Sequence, residues 1–159
     1  MNNKAKEENL TQEEIVDRAQ AIIQSSAFCR ELGIELVSCE QDHAVGRIIL
    51  NERHGNPLGD VHGGVLFALA DTICGIAACS RGSGGPTVSG FMDFLRPVQC
   101  KELICKASVV KHGSSLIRAE CVMTDENGKE LARGYSVFLA TSLYRDFRTS
   151  NLSVHKDFT

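Results

Sequence analysis

The segment His62–Ser80 has the sequence HGGVLFALADTICGIAACS and is the most informative part of the chain for its architecture. Two adjacent glycines open it and a glycine-rich run at 82–85 follows it, so the pattern predicts one long helix from Gly63 to about Ser80. Its side chains are apolar on nearly every side, which is typical of a helix buried on all sides. Asp71 in the middle argues against a membrane span. We therefore expect this helix to form the centre of the protein.

The rest of the chain is predicted to surround that helix. A capping box formed by Thr11 and Glu14 predicts a first helix from Thr11 to about Ser25. Period-2 alternation predicts six strands, at Ile34–Cys39, Ala44–Leu50, and about Thr87–Leu95, Lys101–Lys111, Ser115–Asp125 and Glu130–Ser142. This order predicts an α+β fold in which one sheet wraps around the long buried central helix. We divide the chain into an N-terminal helical extension (1–26), one domain (27–143) and a polar C-terminal tail (144–159).

Length and charge limit the kind of protein this can be. The 159 residues suggest one domain, and 17 Lys and Arg against 20 Asp and Glu give a net charge of −3, which argues against nucleic-acid binding. The first 20 residues contain no apolar segment of a secretory signal, and no membrane association is expected. The seven cysteines are odd in number and lack a C-x-x-C pair, so we expect buried thiols and a cytoplasmic location. No histidine is placed to complete a zinc site with them, so no metal is predicted.

Asp71 is the most informative residue for function. It is the only charged side chain between Asp60 and Arg81, in the most apolar segment of the chain. An ionised carboxylate there is costly unless it is paired or hydrogen-bonded. A structural role would have it bond a neighbouring backbone group or face a dimer seam. A functional role would have it activate water or attack a carbon atom.

The turn before the helix is a second candidate for chemistry. Gly63 and Gly64 permit a sharp entry into the helix and leave bare N–H groups at its first turn. Those groups carry the positive end of the helix dipole, which suits a developing oxyanion. A tight turn with a satisfied His62 is the alternative.

The spacing of these residues predicts a shared site. Gly63 and Asp71 are 8 residues apart, so their backbones are about 12 Å apart along the helix axis. One reacting carbon cannot lie within about 3 Å of both groups on a single helix. Two antiparallel copies across a two-fold axis can supply them, one from each chain. We therefore expect a dimer with two shared active sites.

These motifs resemble those of the hotdog-fold thioesterases, specifically the PaaI-type (phenylacetic-acid-degradation) group among the 4-hydroxybenzoyl-CoA thioesterase relatives. The resemblance covers about residues 27–141 and has three parts. They are Asn56…Gly59…His62-Gly63-Gly64…Leu69-Ala70-Asp71, then Phe94-Leu95-Arg96-Pro97, then Asp125-Glu126-Asn127-Gly128 followed by Ala132 and Phe138. It implies a hotdog fold with an antiparallel sheet, and an acyl-CoA thioesterase that needs no cofactor.

The resemblance also implies roles for single residues. Asp71 would be the general base or the nucleophile against the thioester carbonyl. The Gly63 N–H, with that of Gly64, would hold the thioester oxygen. Asn56 would orient the thioester or the water, and His62 would support the loop.

Further residues follow from the same resemblance. Thr87 falls where the family often has a Ser or Thr that positions water, although a β-branched strand residue is an equal reading. Many relatives have a basic residue near the CoA phosphates where this chain has Ser114. Lys111 and His112 remain available for that role and Arg96 or Arg133 could also contribute, and an ordinary solvated surface is the alternative.

The acyl group implied is aryl-acetyl, aromatic or medium-chain, and the assembly is a homodimer or homotetramer. A non-catalytic protein that binds or senses acyl-CoA is a second hypothesis. A hotdog dehydratase is a third, and it is disfavoured because His62 is the only histidine near the helix.

Overall fold

The computed structural model describes residues 9–142 of the chain. In chain order the elements are α1 (Gln12–Ser25), α2 (Ala27–Leu32), β1 (Ile34–Glu40), β2 (His43–Ile49), a 3-10 turn (Glu52–His54), α3 (Gly63–Cys79), β3 (Thr87–Phe94), β4 (Glu102–His112), β5 (Leu116–Thr124) and β6 (Glu130–Leu139). The predicted helices and all six predicted strands are present, with ends that differ by a few residues. The predicted C-terminal tail (144–159) lies outside the described residues.

One antiparallel sheet wraps around α3. Its strand order is β1-β2-β4-β5-β6-β3, and every neighbouring pair is antiparallel. Alternate residues of the strands face α3, whose Leu66, Leu69 and Ile73 are at most 1% exposed. The helix lies so close to β2 that a Cβ added at Gly46 would fall 2.2 Å from the Ile73 side chain. The α+β class and the sheet around a central helix are therefore confirmed.

The central helix is not buried on every side, in contrast to the prediction. A stripe at positions 64, 67–68, 71–72 and 75 is open or half-open, and Phe67 on it is 39% exposed. These positions recur every three to four residues, so they share one face of the helix. The sheet covers the other faces. Other elements reach part of this stripe, since Cys29 Sγ of α2 lies 3.7 Å from the Thr72 hydroxyl and the Phe138 ring lies beside Gly75, whereas Phe67 stays exposed.

The N-terminal extension packs on the same core. The capping box of Thr11 and Glu14 is present, and the inner face of α1 contributes Ile15, Ala19 and Ile23 to the core. The segment between α1 and the first strand, for which the sequence analysis predicted no helix, forms α2. Ser26 caps this short helix by accepting the Cys29 N–H, and Gly33, at φ +69°, ends it.

The cysteines are packing residues, as expected from their number and spacing. All seven lie within residues 9–142 as free thiols, and five are buried. Burial raises the pKa of Cys39 and of Cys79 to about 12, so both thiols remain protonated at neutral pH. No helix within residues 9–142 is both long and apolar enough to cross a bilayer.

Candidate active site

Asp71 and Thr87 form a hydrogen-bonded pair on the open stripe of α3. Asp71 lies half-buried in the middle of the helix, and Thr87 is the first residue of β3. The Thr87 hydroxyl donates to Asp71 Oδ1 over 2.9 Å. The carboxylate is therefore neither deeply buried nor bonded to its own helix, and its partner comes from another element. A half-exposed, oriented carboxylate with one oxygen left for another partner can accept a proton from water.

A cavity of about 260 Å³ opens beside this pair. It lies between α3 and the two helices α1 and α2, and the segment that leads into β3 closes one side. Its lining includes Ile22, Cys29, Asp71, Gly75, Thr87 and Phe138. The sequence analysis did not find this cavity, because its walls come from segments far apart in the chain.

The start of α3 forms the second part of the candidate site. His62 is the N-cap residue, and its Nδ1 accepts the Gly64 N–H over 2.9 Å. The Gly63 N–H has no acceptor among residues 9–142. The phenyl ring of Phe94 lies against Gly63, 3.3 Å from the position of an added Cβ. Of the two predicted donors, Gly63 is therefore the one that remains open to a ligand, whereas Gly64 is used by the cap.

Asn56 shapes the loop that precedes the helix. Its Oδ1 accepts the N–H groups of Leu58 and Asp60 over 2.8 and 3.1 Å. The main chain of the same residue donates to the Asp60 carbonyl over 2.7 Å, which closes the turn. The side-chain oxygen is thus occupied within the loop, and only the amide nitrogen of Asn56 is left to meet a substrate.

His54 supports this loop, and the sequence analysis missed it. It is 1% exposed, its Nδ1 accepts the Asn51 N–H over 3.0 Å, and its Nε2 lies 3.1 Å from the Leu32 carbonyl. Its own carbonyl accepts the His62 N–H over 2.8 Å. His54 therefore ties the start of α3 to the end of α2. The only sequence signal is a histidine in a loop, which by itself does not reveal three partners.

Three of the basic residues expected near the coenzyme A phosphates lie apart. Arg96 is exposed just beyond β3, two residues after the Phe94 that covers Gly63. Lys111 and His112 are at the far end of β4, where His112 Nε2 lies 3.1 Å from the hydroxyl of Ser83, beyond the C-terminal end of α3. Of these three residues, Arg96 alone is near the start of α3 within one chain.

The candidate residues thus form two groups on one helix. Asp71 and Thr87 make up one group, and Gly63 with His62 and the Asn56 loop make up the other. The groups are separated by 8 residues of α3, which corresponds to about 12 Å along its axis. One chain does not bring them together around a single carbonyl carbon.

The chain is similar to known thioesterases. Residues 58–132 match the family model described as the thioesterase superfamily. The acyl-coenzyme A thioesterase PaaI of Escherichia coli K12 is 31% identical over 94 residues, which cover 59% of this chain and 67% of the relative. Human acyl-coenzyme A thioesterase 13 is 31% identical over 120 residues, which cover 72% of this chain and 86% of the relative.

Solved structures share the fold. The E. coli PaaI protein from the phenylacetic acid degradation operon superposes with a TM-score of 0.77 at 25% identity, over 81% of this chain and 94% of that one. Zebrafish thioesterase superfamily member 2 superposes with a TM-score of 0.73 at 27% identity, over 83% of this chain and 99% of that one. The hotdog fold expected from the sequence is confirmed.

Proposed function

This chain belongs to the thioesterase superfamily and is a thioester hydrolase, and we propose that it converts acyl-coenzyme A and water into a carboxylic acid and free coenzyme A. The acyl groups proposed are aryl-acetyl, aromatic or medium-chain. The observation that carries the proposal is the Asp71–Thr87 pair, which presents an oriented carboxylate at the mouth of a cavity.

In the proposed reaction, Asp71 is the general base. Thr87 holds Oδ1, so Oδ2 is left to take a proton from a water molecule, and the lone pairs of the Thr87 hydroxyl can hold that water. The water oxygen bonds to the thioester carbon, and the carbonyl oxygen becomes an oxyanion. The carbon–sulfur bond then breaks, and the departing thiolate receives the proton from Asp71. If Asp71 attacked the carbon itself, the carbon–sulfur bond would break and the coenzyme A thiolate would leave with a proton from solvent. Water would then hydrolyse the acyl–Asp71 anhydride to the carboxylic acid and the free Asp71 carboxylate.

We propose that the N–H of Gly63 donates a hydrogen bond to the oxyanion. This donor lies at the first turn of α3, where the helix dipole adds to the hydrogen bond. Loss of one such donor reduces turnover by about 10²–10³-fold in enzymes that depend on it. His62 keeps the helix start in place, and the Asn56 loop shapes the approach to it.

Each active site is proposed to take Gly63 from one chain and Asp71 from a second copy. Two features support this dimer. The open stripe of α3 carries Asp71 and an exposed Phe67, and β3 is an edge strand whose Val88, Phe91 and Phe94 are 54%, 52% and 54% exposed. An apolar edge strand is a surface on which another strand pairs readily.

A pair of dimers is the proposed final assembly. The exposed rings of Phe91 and Tyr135 lie 5.8 Å apart on the outer face of the sheet and offer a further contact surface. In the dimer, Arg96 is the candidate for the coenzyme A phosphates at the Gly63 end. Lys111 and His112 can serve there only if the partner chain brings them close.

The competing function is an acyl-CoA sensor that binds without hydrolysis. Thiol release from phenylacetyl-, benzoyl-, short-, medium- and long-chain acyl-CoA, measured with a free-thiol reagent, separates the two. We expect release from the wild type and a loss of at least 100-fold in Asp71→Asn while the oligomer persists. Release that is equal in a folded Asp71→Asn variant would remove Asp71 from the mechanism, and tight binding without any release would favour the sensor.

A further inference from the structure

The cavity beside Asp71 runs along α3 into the protein. Asp71, Gly75 and Cys79 line it at intervals of one helical turn, so it extends about 12 Å along the helix axis. Thr87 at the Asp71 end is exposed, whereas Phe138, whose ring lies beside Gly75, is 3% exposed. A group attached to a carbonyl held at Asp71 would therefore enter the interior along this path.

The lining of the cavity suits an uncharged group. Among the described residues that line it, Asp71 is the only one with a charged side chain. The hydroxyls of the N-terminal extension are used locally, since Ser25 donates to the Ile22 carbonyl over 2.9 Å and Ser26 accepts the Cys29 N–H over 3.2 Å. A carboxylate at the far end of the acyl group would lose its hydration without a cationic partner among the described lining residues, so acyl groups that end in a carboxylate are disfavoured.

We propose, on the basis of the proposed thioesterase function, that this cavity holds the acyl group and that Gly75 and Ile22 determine the length it accepts. With a volume of about 260 Å³ and an extent of about 12 Å along α3, the cavity has room for an acyl group of medium size beyond the carbonyl. Unbranched medium-chain acyl groups and aryl-acetyl groups have this size, and long fatty acyl chains exceed it. The N-terminal extension thus acts as a specificity element, because Ile22 of α1 forms part of the wall.

Gly75 lies at the midpoint of the cavity, where its lack of a side chain sets the width of the cavity. A Cβ added there would lie 3.4 Å from the Phe138 ring, an ordinary van der Waals distance. Gly75→Ala is therefore compatible with the fold, and alanine is favoured over glycine inside a helix. The same methyl group occupies space that an acyl chain must pass to reach Cys79. Ile22→Ala has the opposite effect, since it removes atoms from a half-buried wall residue.

The experiment compares acyl preference in four purified proteins. The wild type, Gly75→Ala, Ile22→Ala and the matched control Ile23→Ala are assayed for kcat/KM on straight-chain acyl-CoAs from butyryl to palmitoyl. Ile23 is 7% exposed, faces the core and does not line the cavity, so its truncation loses packing without changing the cavity. Binding of non-hydrolysable thioether analogues of the same series is measured by calorimetry in parallel.

We expect the decanoyl-to-butyryl ratio to fall about tenfold or more in Gly75→Ala, because one methylene group in an apolar pocket changes selectivity by that much. The lauroyl-to-butyryl ratio should rise in Ile22→Ala, and Ile23→Ala should keep the wild-type ratios. Hydrolysis with identical ratios in all four proteins would overturn this inference and leave the thioesterase function standing. A different result would be that no acyl-CoA is hydrolysed, while the thioether analogues bind with a length preference that Gly75→Ala shifts to shorter chains. That result would overturn the thioesterase function and retain the cavity as the acyl site. Absence of any length preference in either assay would overturn the inference.

Discussion

The hydroxyl of Thr87 donates a 2.9 Å hydrogen bond to Oδ1 of Asp71, and so joins the first residue of β3 to the middle of α3. The bond fixes the carboxylate on the open stripe of the helix and leaves Oδ2 for a water molecule. The sequence analysis left two equal interpretations of Thr87. It is either an ordinary strand residue or a residue that positions water. The role of Thr87 in positioning water stays a prediction, and the hydrogen bond to Asp71 is the contact through which it would act.

Thr87→Val should lower kcat by about 10- to 100-fold, because a hydrogen bond to a charged group contributes about 1.5–3 kcal/mol. Valine keeps the β-branched shape that a strand prefers, so the thermal midpoint should change little. Thr87→Ser retains the hydroxyl and should recover most of the turnover. Equal kcat in Thr87→Val and Thr87→Ser would restrict Thr87 to its role in the strand.

Gly63→Pro should remove the proposed oxyanion donor without removing the helix. Gly63 is the first helical residue, where proline is well tolerated, and His62 has the extended conformation (φ −63°, ψ 132°) that a residue before proline prefers. We expect kcat to fall about 10²–10³-fold.

Gly63→Ala is the matched control for that variant. It adds the same Cβ against the exposed ring of Phe94 but keeps the N–H, so it should retain far more activity than Gly63→Pro. Equal losses in the two variants, with circular dichroism showing an intact helix, would mean that the Cβ and not the missing donor is responsible.

Much of the fold could be predicted because its signals are local. Helices and strands are recognised from side-chain periods of 3.6 and 2 residues, which need only neighbouring positions in the sequence. The start of α1 is marked by a capping box whose two residues, Thr11 and Glu14, lie in one four-residue segment. Asp93, a charge within β3 that no sequence pattern explains, lies directly across from Arg133 of β6 in the strand register. The pairing of Asp93 with Arg133 could be recognised only once the order of the strands was known.

The remainder depends on contacts between distant segments. The short helix α2 is defined by a cap at Ser26 and a left-handed Gly33, with too few residues for a periodic signal. The open stripe of α3 was not predicted because an exposed apolar side chain such as Phe67 gives the same sequence pattern as one that faces the core. The cavity requires α1, α2 and α3 together, so only its Asp71 and Thr87 end could be named in advance.

The β1–β2 turn should make stability dependent on pH in the acid range. Asp42 occupies this turn at φ +67° and accepts two hydrogen bonds from Arg81, at 2.8 and 2.5 Å, which lower the pKa of its carboxyl below the usual 3.8. Because the folded state binds this proton more weakly than the unfolded state, the pair stabilises the fold above pH 3.8. That contribution is lost as the pH falls through the lower folded pKa.

Asp42→Asn tests this pair, because asparagine also tolerates the left-handed conformation but cannot form the ion pair. The variant should be about 1–3 kcal/mol less stable than the wild type at pH 7 in urea denaturation. The difference should shrink as the pH falls below 4. A constant difference from pH 7 to the acid range would assign the loss to geometry and not to charge.

Two inactive variants should restore activity when they share a dimer. Gly63→Pro keeps Asp71, and Asp71→Asn keeps the Gly63 donor, so a mixed dimer contains one intact site if the two groups come from different chains. Random mixing of equal amounts makes about half of the dimers mixed, and one of their two sites is intact, so about one quarter of wild-type activity is expected. Refolding the two variants together from denaturant allows the chains to exchange before the assay.

A mixture of Asp71→Asn with Thr87→Val is the control, since both changes affect the same group and no mixed dimer regains a complete site. Activity that stays at the sum of the separate variants in the first mixture would place Gly63 and Asp71 in the same site of one chain, which the separation of about 12 Å along α3 opposes.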